Sequence, residues 1–90
     1  MSFDVFVLPE LLEKIPAERK AQIISAIKEL NDPFPGSSGN KKEIKGTRKA
    51  AYRLRAGNFR IFYNVDKDKK EVYVFDILTS EQAHKKYGKL

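Results

Sequence analysis

The chain has 90 residues, carries 18 Lys/Arg against 12 Asp/Glu for a net charge of +6, and contains no cysteine. That length predicts one domain over residues 1–90, roughly two layers of secondary structure around a modest core. The missing thiols exclude a disulfide framework and a zinc–thiolate site, and no apolar run approaches the ~20 residues of a membrane span. Met1-Ser2-Phe3-Asp4 lacks the basic start and long apolar core of an export signal, so the expected location is the cytoplasm, with no membrane partner.

Phe3-Asp4-Val5-Phe6-Val7-Leu8 is apolar and β-rich and predicts a first strand, ended by Pro9. Glu10 to Ile15 predicts a short helix, and Pro16 opens a second one because proline is tolerated in a first turn. Ile23, Ile24, Ile27 and Leu30 recur at helical spacing with charges opposite, which predicts an amphipathic helix over 17–31, stopped by Asn31-Asp32-Pro33. Residues 34–40, with one proline, two glycines and two serines, read as a loop. Lys41 to Ala50 is basic and weakly patterned, and Ile44 and Gly46 suggest a docked turn or bulge. Strands follow at about 50–56, 58–65 and 71–78, joined by the turns Ala56-Gly57-Asn58 and Asp66-Lys67-Asp68-Lys69-Lys70. The last strand is apolar on both faces for much of its length, as expected of a strand covered by helices. Thr79 or Ser80 caps a short final helix with Glu81 or Gln82 in its first turn. The predicted class is α+β: an N-terminal strand, a two-helix hairpin, an antiparallel meander of three strands and a C-terminal helix.

The charge is unevenly placed. Residues 1–40 hold four Lys/Arg against six Asp/Glu, residues 41–60 hold eight against one, and residues 61–90 hold six against five. The middle segment contributes Lys41, Lys42, Lys45, Arg48, Lys49, Arg53, Arg55 and Arg60. Strand side chains alternate faces, so Arg53 and Arg55 leave the sheet on one side while Tyr52 and Leu54 leave on the other. Several permanent positive charges on one sheet face point to a polyanion. A solvated lysine-rich surface explains the lysines as well, but it explains the arginines between apolar strand residues less well. The ordinary alternative for Arg60 is a salt bridge to Asp76 or Glu43, and for Tyr87 it is packing of its ring on the sheet.

Ile44-Lys45-Gly46, followed after a short gap by Tyr52-Arg53-Leu54-Arg55-Ala56-Gly57-Asn58-Phe59-Arg60-Ile61-Phe62-Tyr63-Asn64-Val65-Asp66, resembles the signature of the RelE/ParE superfamily of toxin–antitoxin toxins. The superfamily pattern reads approximately leucine-lysine-glycine, then tyrosine-arginine-leucine-arginine-x-glycine-aspartate-tyrosine-arginine-isoleucine-x-tyrosine. The resemblance covers nearly the whole chain in element order. It implies a RelE-like fold and one of two activities: ribosome-dependent mRNA cleavage, or inhibition of DNA gyrase.

In the RelE branch the resemblance implies that Arg53, Arg55 and Arg60 meet RNA phosphates; the chemistry of the cleavage then assigns Arg60 to the reacting phosphorus and Arg53 and Arg55 to the backbone. A C-terminal tyrosine or histidine handles protons, here Tyr87 or His84, which share a helix face at a spacing of three. An imidazole, with an ordinary pKa of ~6.5, suits either proton role, whereas a phenol near ~10 needs neighbouring cations to lower it. Lys41, Lys42, Lys45, Arg48 and Lys49 are expected to make nonspecific nucleic-acid backbone contacts. No cofactor or metal is implied. The chain departs from the family in one place: Thr79-Ser80-Glu81-Gln82 stands where an arginine often follows the last strand, leaving Lys85 or Lys86 as substitutes. That departure keeps open a ParE-like gyrase inhibitor or a weakened toxin that mainly binds its antitoxin. All three readings imply a small, partly disordered antitoxin encoded adjacently. The first adds the ribosome and mRNA, and operator DNA could be reached through the antitoxin complex.

Overall fold

The computed structural model describes residues 2–36, 39–44 and 51–88. Strand β1 (Asp4–Val7) leads into helix α1 (Pro9–Glu13), which Pro9 opens from its first position, and then into α2 (Ala17–Lys28). Pro16 is the cap of α2, and its carbonyl accepts from the amides of Arg19 and Lys20. A 3-10 turn over Glu29–Asn31 extends α2 to the predicted end of the helix. Strands β2 (Lys41–Ile44), β3 (Ala51–Ala56), β4 (Phe59–Asp66) and β5 (Glu71–Thr79) follow, and α3 (Ser80–Tyr87) ends the described fold.

One five-stranded sheet runs in the order β1-β5-β4-β3-β2. The predicted meander forms its centre, β3 against β4 and β4 against β5, all antiparallel. The N-terminal strand adds to β5 in parallel. Lys41–Ile44 corrects the sequence expectation of a turn or bulge: it is a strand, antiparallel to β3. Its Lys-Lys-Glu-Ile run carries no alternation, because an edge strand is recruited by backbone bonds more than by a buried face. Gly46, with the rest of the basic segment 45–50, lies outside the described residues.

The core lies between α2 and one face of the sheet. Ile23, Ala26, Ile27 and Leu30 meet Tyr52 and Leu54 of β3, Ile61, Tyr63 and Val65 of β4, and Val72, Val74 and Ile77 of β5. Ile24, a member of the same helical run, stays exposed. Tyr63 stacks on Tyr52, and its hydroxyl donates to the Pro33 carbonyl at 2.6 Å, which ties the loop after α2 to the sheet.

β5 corrects a second expectation. A register shift falls between Phe62, opposite Asp76, and Tyr63, opposite Val74, so Phe75 is an extra residue on β5. The bulge changes the phase of the strand: Val72 and Val74 face the core before it and Ile77 after it. Tyr73 and Phe75 are exposed on the other side, so the run that read as apolar on both faces is a half-buried strand with a phase change. Among the described residues no helix is long and apolar enough to cross a membrane.

Candidate nucleic-acid interface

The register assembles the basic face. Arg55 lies opposite Arg60, Arg53 opposite Phe62, and Lys42 opposite Arg53. Directly paired residues share a face, so these cations stand together on the side away from the core. Gly57 and Asn58 make the two-residue turn between β3 and β4, with φ +59° at Gly57, as in hairpin turns that place glycine first. The turn carbonyls then anchor Arg60: its Nη1 donates to the Gly57 oxygen at 3.0 Å and to the Phe59 oxygen at 2.9 Å.

Helix α3 crosses the same face. Thr79 caps it, accepting from the Gln82 amide while the Gln82 side chain accepts from the Thr79 amide. Ser80 is tied to the β3–β4 turn through its amide to the Asn58 carbonyl at 2.8 Å and its hydroxyl to the Asn58 side chain at 2.9 Å. Ala83 is the buried residue of the helix. Between helix and sheet lies a cavity of about 290 Å³, lined by Arg53, Arg55 and Arg60 from the strands and by Ser80, Ala83, His84 and Gly88 from α3 and its end.

The three arginines are unpaired with acids among the described residues. Arg55 donates to the Asn40 side chain at 3.4 Å. The Nε of Arg53 is buried and has no hydrogen-bond partner there. Burial, then repulsion from Arg60 and Arg55, lowers the proton affinity of Arg53; burial, then Arg55, lowers that of Arg60. Arginine titrates so far above neutrality that both remain cations. Among the described residues, the result is a concentration of positive charge without acidic partners, lining a cavity. The alternative for Arg60, a salt bridge to Asp76 or Glu43, does not form, because the hairpin carbonyls hold the guanidinium.

The proton-handling candidates separate. His84 lines the arginine cavity. Tyr87 is not among its lining residues: its ring lies 4.6 Å from that of Phe62, and its hydroxyl donates to Asp76 Oδ2 at 2.9 Å. Burial, then this hydrogen bond, raises the pKa of Tyr87, the reverse of the lowering that an arginine cluster would give. The lysines proposed to replace the missing arginine are also engaged elsewhere. Lys86 donates to Asp76 Oδ2 at 2.7 Å, and Lys85 pairs with Glu81 at 3.4 Å on the exposed side of the helix. Of the outer basic residues, Lys42 is exposed beside Arg53, and Lys41 donates to the Asp32 carbonyl at 2.7 Å. Lys45, Arg48 and Lys49 lie outside the described residues.

Sequence reasoning offered Asp76 only as a partner for Arg60 and missed its bonds to Lys86 and Tyr87 of α3. The available signal was an acid inside the apolar run Tyr73-Val74-Phe75-Asp76-Ile77-Leu78, since a buried carboxylate requires partners. Among the described residues no three His, Cys, Asp or Glu side chains gather to hold a metal ion.

Comparison with solved structures returns the same architecture. The archaeal RelE–RelB complex from Pyrococcus horikoshii OT3 is 20% identical with a TM-score of 0.71, over 88% of this chain and 96% of that chain. The toxin–antitoxin complex RelBE2 from Mycobacterium tuberculosis is 16% identical with a TM-score of 0.71, over 88% and 99%. The RelB–RelE antitoxin–toxin complex from Methanococcus jannaschii is 22% identical with a TM-score of 0.66, over 91% and 98%. At these identities the likeness is one of fold. No curated protein sequence matches the chain. The family model described as the ParE toxin of the type II toxin–antitoxin system, parDE, matches residues 10–84. The RelE-like fold and a match over most of its length therefore agree: this chain belongs to the ParE toxin family of the RelE/ParE superfamily, the toxins of type II toxin–antitoxin systems.

Proposed function

We propose that this toxin cleaves mRNA on the ribosome by metal-independent attack of a ribose 2′-oxygen on the adjacent phosphate. The observation that carries the reading is the convergence of three acid-free arginines and His84 on one cavity. The reaction needs a proton removed from the 2′-hydroxyl, charge stabilisation at phosphorus, and a proton delivered to the departing 5′-oxygen. Arg60, oriented by the hairpin carbonyls, faces the developing charge; Arg53 and Arg55 hold the flanking phosphates. An imidazole can serve either proton transfer, and His84 takes this role because Tyr87 is held by Asp76.

A cognate antitoxin is the proposed partner, as the RelE toxins of similar fold are solved in complex with RelB. A small, partly disordered antitoxin would fold on binding and cover the basic face. Operator DNA would be met through that complex.

Gyrase inhibition without RNA cleavage is the second reading. It is favoured by the match to the ParE toxin model and by the absence of arginine from Thr79-Ser80-Glu81-Gln82. One experiment separates the two. The toxin is added to a translation extract with a reporter mRNA, cleavage is mapped by primer extension, and supercoiling by gyrase is followed in parallel. Cuts that require ribosomes, reduced roughly 10²–10³-fold by Arg60→Ala, are expected. Intact message with inhibited supercoiling would assign the gyrase reading. Wild-type cleavage by Arg60→Ala would remove Arg60 from the mechanism.

A further inference from the structure

We propose that Asp76 is the positioning residue of this site, a buried carboxylate that docks the C-terminal end of α3 and thereby holds His84 over the arginines. The inference rests on the endonuclease reading for its catalytic consequence, but not for its geometry.

Helix α3 has eight residues, well below the ~12–15 at which an isolated helix becomes even marginal in water. Its apolar hold on the sheet is small: buried Ala83 and the Tyr87 ring against Phe62. Polar clamps at the two ends do the rest. At the start, the Thr79–Gln82 capping box and the Ser80–Asn58 bonds fix the helix to the β3–β4 turn. At the far end, Asp76 Oδ2 accepts from both the Lys86 ammonium and the Tyr87 hydroxyl. His84 lies between these two clamps.

Asp76 is itself held firmly. Its residue is 8% exposed, its Oδ1 accepts from the Ile77 amide at 3.0 Å, and it stands beside the Phe75 bulge. The bulge shifts the strand's phase, and Asp76 thus comes opposite Phe62, on whose ring Tyr87 packs. Lys86 supplies the opposite charge that a buried carboxylate needs. Asp76 forms no ion pair with the arginine cluster, so its influence on the site runs through the helix.

The chain has a single histidine, so the imidazole signals of His84 are unambiguous in a proton spectrum. The test compares wild type with Asp76→Ala, Asp76→Asn and Tyr87→Phe in the full chain. Hydrogen exchange of the His84–Gly88 amides should accelerate on the order of tenfold to a hundredfold in Asp76→Ala, the loss expected for bonds to a charged acceptor. Amides of Leu54 and Ile61 in the core should not change, and the imidazole signals of His84 should move toward those of an unstructured histidine. Ribosome-dependent cleavage should lose kcat with KM for the ribosome unchanged. In a His84→Ala background, Asp76→Ala should cost nothing further, because a residue acting only through His84 has no separate effect.

Unchanged exchange and imidazole signals, or a full additional loss in the His84→Ala background, would overturn the proposal. If Asp76→Ala does not fold, the same measurements on Asp76→Asn and Tyr87→Phe decide it. If the wild type cleaves no message, the endonuclease reading fails, and the exchange and imidazole measurements alone decide whether Asp76 places the helix.

Discussion

Replacing Arg53 with methionine should make the protein more stable while weakening the proposed RNA cleavage. Methionine keeps an unbranched side chain against Phe62, so packing is retained. What disappears is a buried Nε without a partner and a charge repelled by Arg60 and Arg55. A buried unsatisfied donor costs about 1–3 kcal/mol. The rest of the guanidinium borders an open cavity and is screened by solvent, so the low end, about 1 kcal/mol, applies. With an unfolding entropy of about 2.1 cal/mol/K per residue, that is a rise of about 5 °C in Tm for a chain of 90 residues. Thermal unfolding of wild type and Arg53→Met at low ionic strength measures it directly. The difference should narrow at about 1 M salt, where the Debye length falls to about 3 Å. A variant that melts at or below wild type in low salt would refute the view that the arginine face is held together against its own charge.

Gly57→Ala should lower Tm by roughly 5–10 °C, because a left-handed backbone costs a side-chain-bearing residue about 1–2 kcal/mol. The new Cβ would also fall 2.6 Å from Gln22 Nε2, the mobile end of a side chain that can turn away. An unchanged melt would show that the hairpin does not require the positive φ. All four tyrosines have pKa values raised in the fold: Tyr52, Tyr63 and Tyr87 chiefly by burial, and Tyr73 chiefly by its hydrogen bond to Glu71. A raised folded pKa contributes stability below the unfolded value and loses it as pH climbs through the folded one. Stability should therefore fall as pH rises past about 10, the ordinary tyrosine value, with a smaller slope in Tyr63→Phe. Phenolate absorbance of the native protein should develop at higher pH than that of the denatured chain, and coincident curves would contradict the assignment.

The parts legible in the sequence are those set by strong local rules. Alternation in Tyr52-Arg53-Leu54-Arg55 fixed which side chains enter the core, and the Gly57-Asn58 turn set the register that brings Arg55 opposite Arg60. Helical spacing placed Ile23, Ile27 and Leu30, and the start of α3 followed from Thr79 and Gln82. Other features depend on partners distant in sequence. Lys41–Ile44 is a strand because β3 offers it an edge, which its own residues do not announce. The bulge at Phe75 exists only relative to β4, and without it Asp76 could not be assigned a face. The choice between His84 and Tyr87 turned on that same acid, since Asp76 engages one and leaves the other in the cavity.

The two halves of the site are stabilised in different ways. The arginine half is carried by β3 and β4, whose other face is the centre of the core. The helical half rests on capping bonds, on one carboxylate and on the small apolar contact of Ala83 and the Tyr87 ring. Repulsion within the first half is relieved by any polyanion that enters the cavity, and that relief is the same whether the charge comes from phosphates or from carboxylates. A proposed antitoxin segment with acidic residues over this face would therefore use the electrostatic energy that the proposed RNA substrate requires, and the two ligands should exclude each other. Neutralisation could then suffice for inhibition at the sheet, while displacement of α3 would add to it by removing His84. The variant Asp76→Ala, which loosens α3 and leaves the arginines in place, separates these contributions: inhibition by charge alone leaves its anion affinity intact.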